Sequence, residues 1–239
     1  MAKFNVEEYL DSLPDDIETI DIMCKNLKYL PDLSRFKKLE TLSCPYNKLT
    51  SLPILPENLK ELYCHYNNLT LLPVLPVNLK WLCCSNNKLT SLSILPVNLK
   101  WLNCSNNKLT SLPILPKNLK ELHCHYNNLT SLPNLPKNLE LLYCHYNNLI
   151  SLPVLPEKLK DLSFFVNPIS EIIVYYNYDY NDLNKNIKIW NNFRYLYYCL
   201  KYKKRFFKMM EPVIKKRYHP SYLYDLKEDD DLDKKLGEW

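Results

Sequence analysis

The chain repeats itself every twenty residues, and this period limits its possible folds more than any other feature of the sequence. Aligned with itself at an offset of twenty, the sequence matches at nearly every apolar position from Leu39 to Ile169. One unit reads Leu59-x-x-Leu62-x-Cys64-x-x-Asn67-x-Leu69-x-x-Leu72-Pro73-x-Leu75-Pro76, and the frame begins again at Leu79, Leu99, Leu119, Leu139 and Leu159. A leading unit at Ile17 is two residues longer, which gives eight units in all. Such a period indicates a solenoid, in which each unit packs on its neighbours.

Each unit is predicted to contain a short strand followed by an extended return segment. Leu62 and Cys64 alternate with Tyr63, as in a strand with one buried face, so stacked units should form a parallel sheet. The return segment carries Leu-Pro-x-Leu-Pro, whose two prolines exclude a helix and favour extended or polyproline geometry. An asparagine ends each strand, and we expect its amide to bond neighbouring backbone and its backbone to adopt the turn conformation usual for glycine. These residues are Asn47, Asn67, Asn87, Asn107, Asn127, Asn147 and Asn167.

The segments outside the repeats, which occupy residues 17–170, are predicted to cap the two ends of the solenoid. Residues 1–16 should form an N-terminal helical cap, because apolar residues occur at helical spacing at Phe4, Val6, Tyr9 and Leu10. Residues 171–239 should form a helical C-terminal cap and a charged tail, with core-facing positions at Ile189, Phe193, Leu196, Leu200 and Phe207. Within this region Lys185–Arg217 holds eleven basic residues against Glu211 alone, whereas Asp225–Glu238 holds seven acidic and three basic residues.

The composition argues against an enzyme. Gly237 is the single glycine of the chain, so phosphate-binding loops, dinucleotide-binding turns and nucleophile elbows cannot be built. Glu61 and Glu121 are the central carboxylates expected on the outer side of the sheet, and no nucleophile is paired with a base. We therefore expect no catalytic residues and no cofactor.

Aromatic and imidazole side chains are expected on the concave face of the sheet, where they suggest a protein-binding surface. Trp and Tyr are enriched at the centres of protein interfaces, although aromatic residues also suit strands for purely structural reasons. Trp81 and Trp101 favour binding, because an outward-facing indole contributes little to a monomer. The predicted partner-binding residues are Tyr63, His65, Tyr66, Trp81, Trp101, His123, His125, Tyr126, Tyr143, His145 and Tyr146.

Cys-His pairs in three units resemble zinc ligands, but strand alternation argues against a zinc site. In each pair the cysteine should face the core while the following histidine faces outward, so one cation cannot bind both. The pairs begin at Cys64, Cys124 and Cys144. His123, His125 and His145 remain an alternative metal-binding cluster, although no bound metal is expected.

The predicted location is intracellular, in the cytoplasm. No stretch reaches the roughly 18 apolar residues of a membrane span, and Met1–Leu13 lacks the basic start and apolar run of a signal peptide. A reducing compartment would keep the nine cysteines as free thiols. We also expect a monomer.

The string Leu-Pro-x-Leu-Pro-x-x-Leu-x-x-Leu-x-Cys-x-x-Asn-x-Leu-Thr-x-Leu-Pro resembles the twenty-residue leucine-rich repeats of secreted bacterial effectors, over residues 17 to about 170. The strand cysteine, the Asn and Tyr content and the basic aromatic tail resemble leucine-rich-repeat proteins of giant amoeba-infecting viruses. The resemblance implies a right-handed superhelical solenoid with a parallel sheet on its concave face and an extended convex side. It also implies an interaction scaffold, in a viral protein acting inside its host cell.

Two other functions stay open. Residues 201–217 interleave basic and aromatic residues, as segments that bind nucleic acid or anionic surfaces do, although a capping helix has the same composition. Some bacterial relatives carry a ubiquitin-ligase domain with a catalytic Cys-x-Asp. Here the tail has Cys199-Leu200-Lys201 instead, which argues against ligase activity.

Overall fold

The computed structural model describes residues 4–173 and 180–201, and within them it forms a parallel β-solenoid. Eight strands of three residues each pair in sequence order in one parallel sheet, with seven turns between them. The predicted solenoid class is confirmed. The strands are β1 (Thr19–Asp21), β2 (Thr41–Ser43), β3 (Glu61–Tyr63), β4 (Trp81–Cys83), β5 (Trp101–Asn103), β6 (Glu121–His123), β7 (Leu141–Tyr143) and β8 (Asp161–Ser163).

Each strand buries its middle residue and turns the two flanking residues away from the core. Leu62 is in register with Leu42 and Leu82 on the neighbouring strands, and all three are completely buried. Cys64 follows the strand, is also completely buried, and continues the ladder through its amide, which donates to the carbonyl of Cys83. The return segments contain neither helix nor strand in the described repeats, and their leucines close the other side of the core.

The predicted asparagine ladder is present. The amide nitrogen of Asn67 donates to the carbonyls of Cys44 and Cys64, at 3.0 and 3.1 Å, while its oxygen accepts the backbone N–H of Leu49 at 3.0 Å. The expected turn conformation, however, falls on the residue before each ladder asparagine. The buried amide fixes the asparagine, so the exposed neighbour takes the left-handed conformation. The positive φ angles are 52 to 53° at Tyr46, Tyr66, Asn86, Asn106, Tyr126, Tyr146 and Val166.

A second asparagine ladder runs along the edge where each return segment turns into the next strand. Asn58 donates its side-chain amide to the carbonyl of Lys37 at 2.8 Å. The same bond to the preceding repeat recurs at 3.1 to 3.4 Å from Asn78, Asn98, Asn118 and Asn138. This ladder was not predicted, although its five asparagines recur every twenty residues in the motif Pro-x-Asn-Leu.

Helices lie at both ends of the repeats. α1 (Val6–Asp11) begins after Asn5, whose side chain accepts the backbone N–H groups of Glu7 and Glu8. Val6 and Leu10 are buried, and Arg35 donates to the carbonyls of Leu10 and Leu13.

The C-terminal end begins with α2 (Pro168–Ile172) and continues with α3 (Tyr180–Lys201). One compact unit extends to residue 189 and a second begins at 190. In the first, Leu183 and Ile187 are buried, whereas Ile189, predicted to face the core, is 59% exposed. The helix therefore packs on the repeats through Leu183 and Ile187, which are four residues apart and precede the residues predicted to face the core. Phe207 and the segment 202–239 lie outside the described residues.

Candidate protein-binding surface

All eleven predicted binding residues lie on the outer sheet face, which we define as the side chains flanking the buried strand leucines together with the two residues after each buried cysteine. None is buried in the core. Tyr66, Tyr126 and Tyr146 are exposed, and the others are half-buried: Tyr63, His65, Trp81, Trp101, His123, His125, Tyr143 and His145. The sheet thus brings residues from five consecutive repeats onto one surface.

Trp81 and Trp101 lie side by side in register on β4 and β5. The leucine that follows each of them is completely buried, so alternation turns both indoles outward. Neither indole N–H has an acceptor within the part of the chain that the structure describes. Both donors are therefore available to a binding partner.

Rings from four consecutive repeats touch one another toward the C-terminal end of this face. Two stacked pairs join adjacent repeats: Tyr126 lies on Tyr146 with ring centroids 4.3 Å apart, and His125 lies on His145 at 4.6 Å. We call this set the C-terminal ring cluster. Its members are Trp101, His123, His125, Tyr126, Tyr143, His145, Tyr146 and Phe165.

His123 joins the two sides of the cluster. The centroid of its ring lies 5.6 Å from that of Trp101 and 5.1 Å from that of Tyr143, and the tyrosine ring meets it edge-on. Phe165 ends the cluster by stacking on His145 at 4.5 Å. The sequence analysis did not include Phe165, although it lies twenty residues after His145 and its position in the repeat was a sufficient signal.

A smaller N-terminal ring cluster consists of Tyr46, His65 and Tyr66. Tyr46 stacks on Tyr66 at 4.5 Å and meets the edge of His65 at 5.5 Å. Tyr46 was also missed, and the same twenty-residue offset from Tyr66 would have found it.

Between the clusters the outer face carries small side chains instead of rings. Cys83, Ser85, Asn86, Asn103, Ser105 and Asn106 occupy the positions that hold rings elsewhere. The segment from Val77 to Pro116 contains four lysines and no acidic residue; the lysines are Lys80, Lys88, Lys100 and Lys108. This segment, which contains both tryptophans, therefore has a net charge of +4.

The imidazoles of the outer face are held neutral. Burial lowers the pKa of His65, His123 and His145 below the ordinary histidine value. For His125, burial first and then the charges of His145 and His123 lower the pKa to about 4. At neutral pH these rings therefore present polarisable but uncharged surface.

Hydrogen bonds fix several of the rings. The hydroxyl of Tyr63 donates to Glu61 at 3.0 Å, and burial together with this bond raises the Tyr63 pKa to about 12. Tyr143 donates to Asp161 on the next strand, and His145 Nδ1 lies 2.9 Å from the hydroxyl of Ser163. The rings are thus ordered before any partner arrives.

The described residues contain no cluster that could hold a metal ion. No group of three metal-ligating side chains occurs there, and His125 and His145 stack face to face rather than converging on a point. Cys64 is completely buried while His65 lies outside, as alternation predicts. Burial also raises the pKa of Cys64, Cys84 and Cys124 well above the usual thiol value. The described part of the chain has no helix long and apolar enough to cross a membrane.

Comparison with known proteins identifies the repeat. The family described as leucine-rich repeats, two copies, matches residues 97–137. Among solved structures, the chain is similar to YopM, a leucine-rich effector protein of Yersinia pestis, at 42% identity and TM-score 0.63, over 65% of this chain and 44% of that one. A Shigella effector leucine-rich-repeat domain matches at 37% identity and TM-score 0.55, over 62% of this chain and 66% of that one.

A third similar structure is the functional domain of InlJ from Listeria monocytogenes, which includes a cysteine ladder. It matches at 28% identity and TM-score 0.52, over 63% of this chain and 40% of that one. A search of curated protein sequences found no match. The chain spans less than half the length of the Yersinia and Listeria chains. The chain therefore contains leucine-rich repeats of about twenty residues that resemble those of bacterial effectors.

Proposed function

We propose that the chain is an interaction scaffold that binds a protein partner on its outer sheet face. Leucine-rich repeat proteins are typically non-enzymatic scaffolds, and the fold commonly mediates protein interactions. The observation that carries the proposal is the outward pair Trp81 and Trp101, of which Trp101 is also a member of the C-terminal ring cluster.

The rings of the outer face favour binding because they offer a large contact area and are already ordered. Aromatic side chains supply large contact areas and dominate the energetics of most interfaces. Stacking and hydrogen bonds already restrict rings such as Tyr126 and Tyr143, so binding would cost little additional side-chain entropy. The neutral imidazoles reduce the cost of desolvation, because a neutral ring loses less hydration than a charged one.

The charge distribution indicates the chemistry of the partner. The four lysines between Val77 and Pro116 have no acidic residue among them, and they flank the two indoles. A complementary partner would present acidic side chains where it crosses this sector and apolar ones over the ring cluster.

The other two functions have no supporting observation. The segment proposed for nucleic-acid or anionic-surface binding, 201–217, extends beyond the described residues. The tail sequence Cys199-Leu200-Lys201 lacks the ligase motif. An intracellular location, which suits the free thiols, and a giant-virus origin remain part of the proposal.

The test is partner capture by a triple variant, Trp81→Ala, Trp101→Ala and Tyr126→Ala. The chain is immobilised, exposed to an extract of its native host cell, and the retained proteins are measured by quantitative mass spectrometry. A true partner should be retained by the wild type and reduced at least about tenfold by the triple variant, since hot-spot truncation costs 2 kcal/mol or more.

A matched control changes three exposed residues of the return segments, Thr110→Ala, Ser111→Ala and Ser131→Ala. This control should retain the partner as the wild type does, and circular dichroism should show the same fold for all three proteins. Equal retention by the triple variant and the wild type would place binding elsewhere.

A further inference from the structure

A second apolar surface lies on the edge of the solenoid where each return segment turns into the next strand. Ile54, Val74, Ile94 and Ile114 occupy the same position in consecutive repeats and are 83 to 88% exposed. Val77 and Val97 lie three residues further along and are 59 and 58% exposed. Isolated exposed aliphatic residues are ordinary, but a continuous stripe of this kind marks an interaction site.

The stripe is a regular two-column surface. Its columns consist of position 54 and position 57 of successive repeats, about 4.8 Å apart from repeat to repeat. Ile54 and Glu57 line one shallow depression together with Ser34 and Lys37 of the preceding repeat. The second asparagine ladder fixes the spacing, since Asn78 and Asn98 bond the carbonyls of Glu57 and Val77.

The second column reads Glu57, Val77, Val97 and Lys117, and the first reads Ile54, Val74, Ile94 and Ile114. Glu57 and Lys117 are exposed, and neither forms an ion pair within the described residues. The second column thus has an acid at one end, a base at the other and aliphatic residues between them. When two copies of this column face each other in opposite directions, each acid lies opposite a base.

We propose that this stripe is the interface of a symmetric dimer with a second copy of the chain, the two solenoids running antiparallel. The two-fold axis lies in the contact plane, perpendicular to the columns, and passes between the repeats of Val77 and Val97. It places each column opposite the same column of the second copy, running in the reverse direction. It pairs Val77 with Val97, Val74 with Ile94, Ile54 with Ile114, and Glu57 with Lys117. The two copies together form two ion pairs around an aliphatic centre.

Other arrangements are less complementary. A parallel arrangement would set one column against the other, and Glu57 would then face Ile54. Moving the axis half a repeat, onto Val97, would pair Glu57 with Lys137 but would set Lys117 against Val77. In the proposed arrangement the stripe ends at polar residues, Ser34 and Asn134, and Lys37 faces Lys137 only at the hydrated rim.

The area is adequate for a weak to moderate dimer. From their exposed fractions, the six aliphatic residues offer on the order of 700 Å² on each copy, close to the roughly 800 Å² per partner of a standard interface. The sequence-based expectation of a monomer took no account of this stripe. Because the outer sheet face is not involved, the dimer is independent of the proposed function and would carry two partner-binding surfaces.

The test is sedimentation equilibrium of the full chain from about 1 to 100 µM, a range that covers ordinary affinities. The wild type should dimerise, and Ile94→Glu should raise the dissociation constant at least about tenfold. Glu57→Lys and Lys117→Glu should each weaken the dimer about tenfold, and the double variant should restore it, because the two charges exchange places.

Val154→Glu is the matched control, since Val154 has the same repeat position, is 53% exposed and lies outside the interface. It should leave the dimer unchanged. A wild type that stays monomeric throughout would overturn the proposal, as would a double variant no tighter than the single ones. The proposal would also be overturned if Lys137→Glu dissociated the dimer and Lys117→Glu did not.

Discussion

At the scale of the residue, seven of the described repeats make the same tight turn after their strand without glycine. The left-handed conformation falls on tyrosine, asparagine or valine, where it costs about 1 to 2 kcal/mol relative to glycine. The next residue compensates: Asn127 donates its amide to the carbonyls of Cys104 and Cys124 and accepts the N–H of Leu109 at 2.9 Å. Each ladder asparagine thus supports the unfavourable turn beside it.

Replacing Asn127 by alanine should lower the free energy of unfolding by about 1 to 3 kcal/mol, because the buried N–H of Leu109 loses its partner and the carbonyls of Cys104 and Cys124 each lose one of two donors. Urea unfolding followed by circular dichroism measures the loss. Asn128→Ala is the control, since Asn128 is the exposed neighbour with the same side chain. Equal stabilities of the two variants would contradict this role of the ladder.

Sequence reasoning located the ladder but misplaced the turn. The asparagines at position 67 and its equivalents were visible because they recur, and asparagine tolerates positive φ. What the sequence did not reveal is that a buried amide with four bonds leaves its own backbone no freedom to turn. Tyr66 gave no signal, since tyrosine rarely takes this conformation.

At the scale of the element, the outer face is organised by stacking identical side chains on adjacent strands. A parallel register places equivalent residues about 4.8 Å apart, which is close to the distance between stacked rings. This spacing allows repeated rings to stack, as His125 and His145 do at 4.6 Å, whereas His123 meets Tyr143 edge-on.

Burial of His125, together with the neighbouring imidazoles, makes stability depend on pH in a defined window. The pKa of His125 is lowered to about 4 in the folded chain, so the unfolded chain binds its proton more readily. Stability should be complete above the ordinary histidine pKa of about 6.5 and should fall as pH decreases toward about 4. Urea unfolding of the wild type and of His125→Gln across this range measures the effect.

The difference between the two proteins isolates His125 from the carboxylates that titrate in the same range. As pH falls from about 6.5 to about 4, the free energy of unfolding of the wild type should decrease relative to that of His125→Gln. If the free energies of unfolding of the two proteins changed in parallel with pH, the environment of His125 would not suppress its protonation.

Sequence reasoning predicted which residues face outward but not which of them touch. Trp101 contacts His123 while no ring contact joins Trp81 to the N-terminal cluster, and this depends on side-chain rotation that alternation does not determine. The exposed stripe was missed for a different reason. Ile54 and Val77 occupy positions whose residue varies from repeat to repeat, whereas the leucines that reveal the frame recur.

At the scale of the whole molecule, stability comes from contacts between neighbouring repeats, since no single repeat can bury its own core. The repeats at 77–96 and 97–116 are nearly identical, differing at Cys83 against Asn103 and at Ser93 against Pro113. Either should therefore fit against the neighbours of the other.

Deleting residues 97–116 should leave a folded solenoid that is one repeat shorter. Its unfolding in urea should stay cooperative, with a lower free energy and an m-value reduced by roughly one eighth, because the m-value scales with the surface exposed. Deleting the half repeat 107–116 is the control, since it removes Asn107 and Leu109 and breaks the frame. Identical unfolding of both deletions would contradict nearest-neighbour stacking.

Six consecutive repeats each bury one thiol completely, at Cys44, Cys64, Cys84, Cys104, Cys124 and Cys144. An alkylating reagent attacks only an accessible thiolate, so each of these positions stays silent until its own repeat opens. The order in which the six cysteines became labelled would record, without any introduced probe, whether the molecule frays from its first turn or from its last.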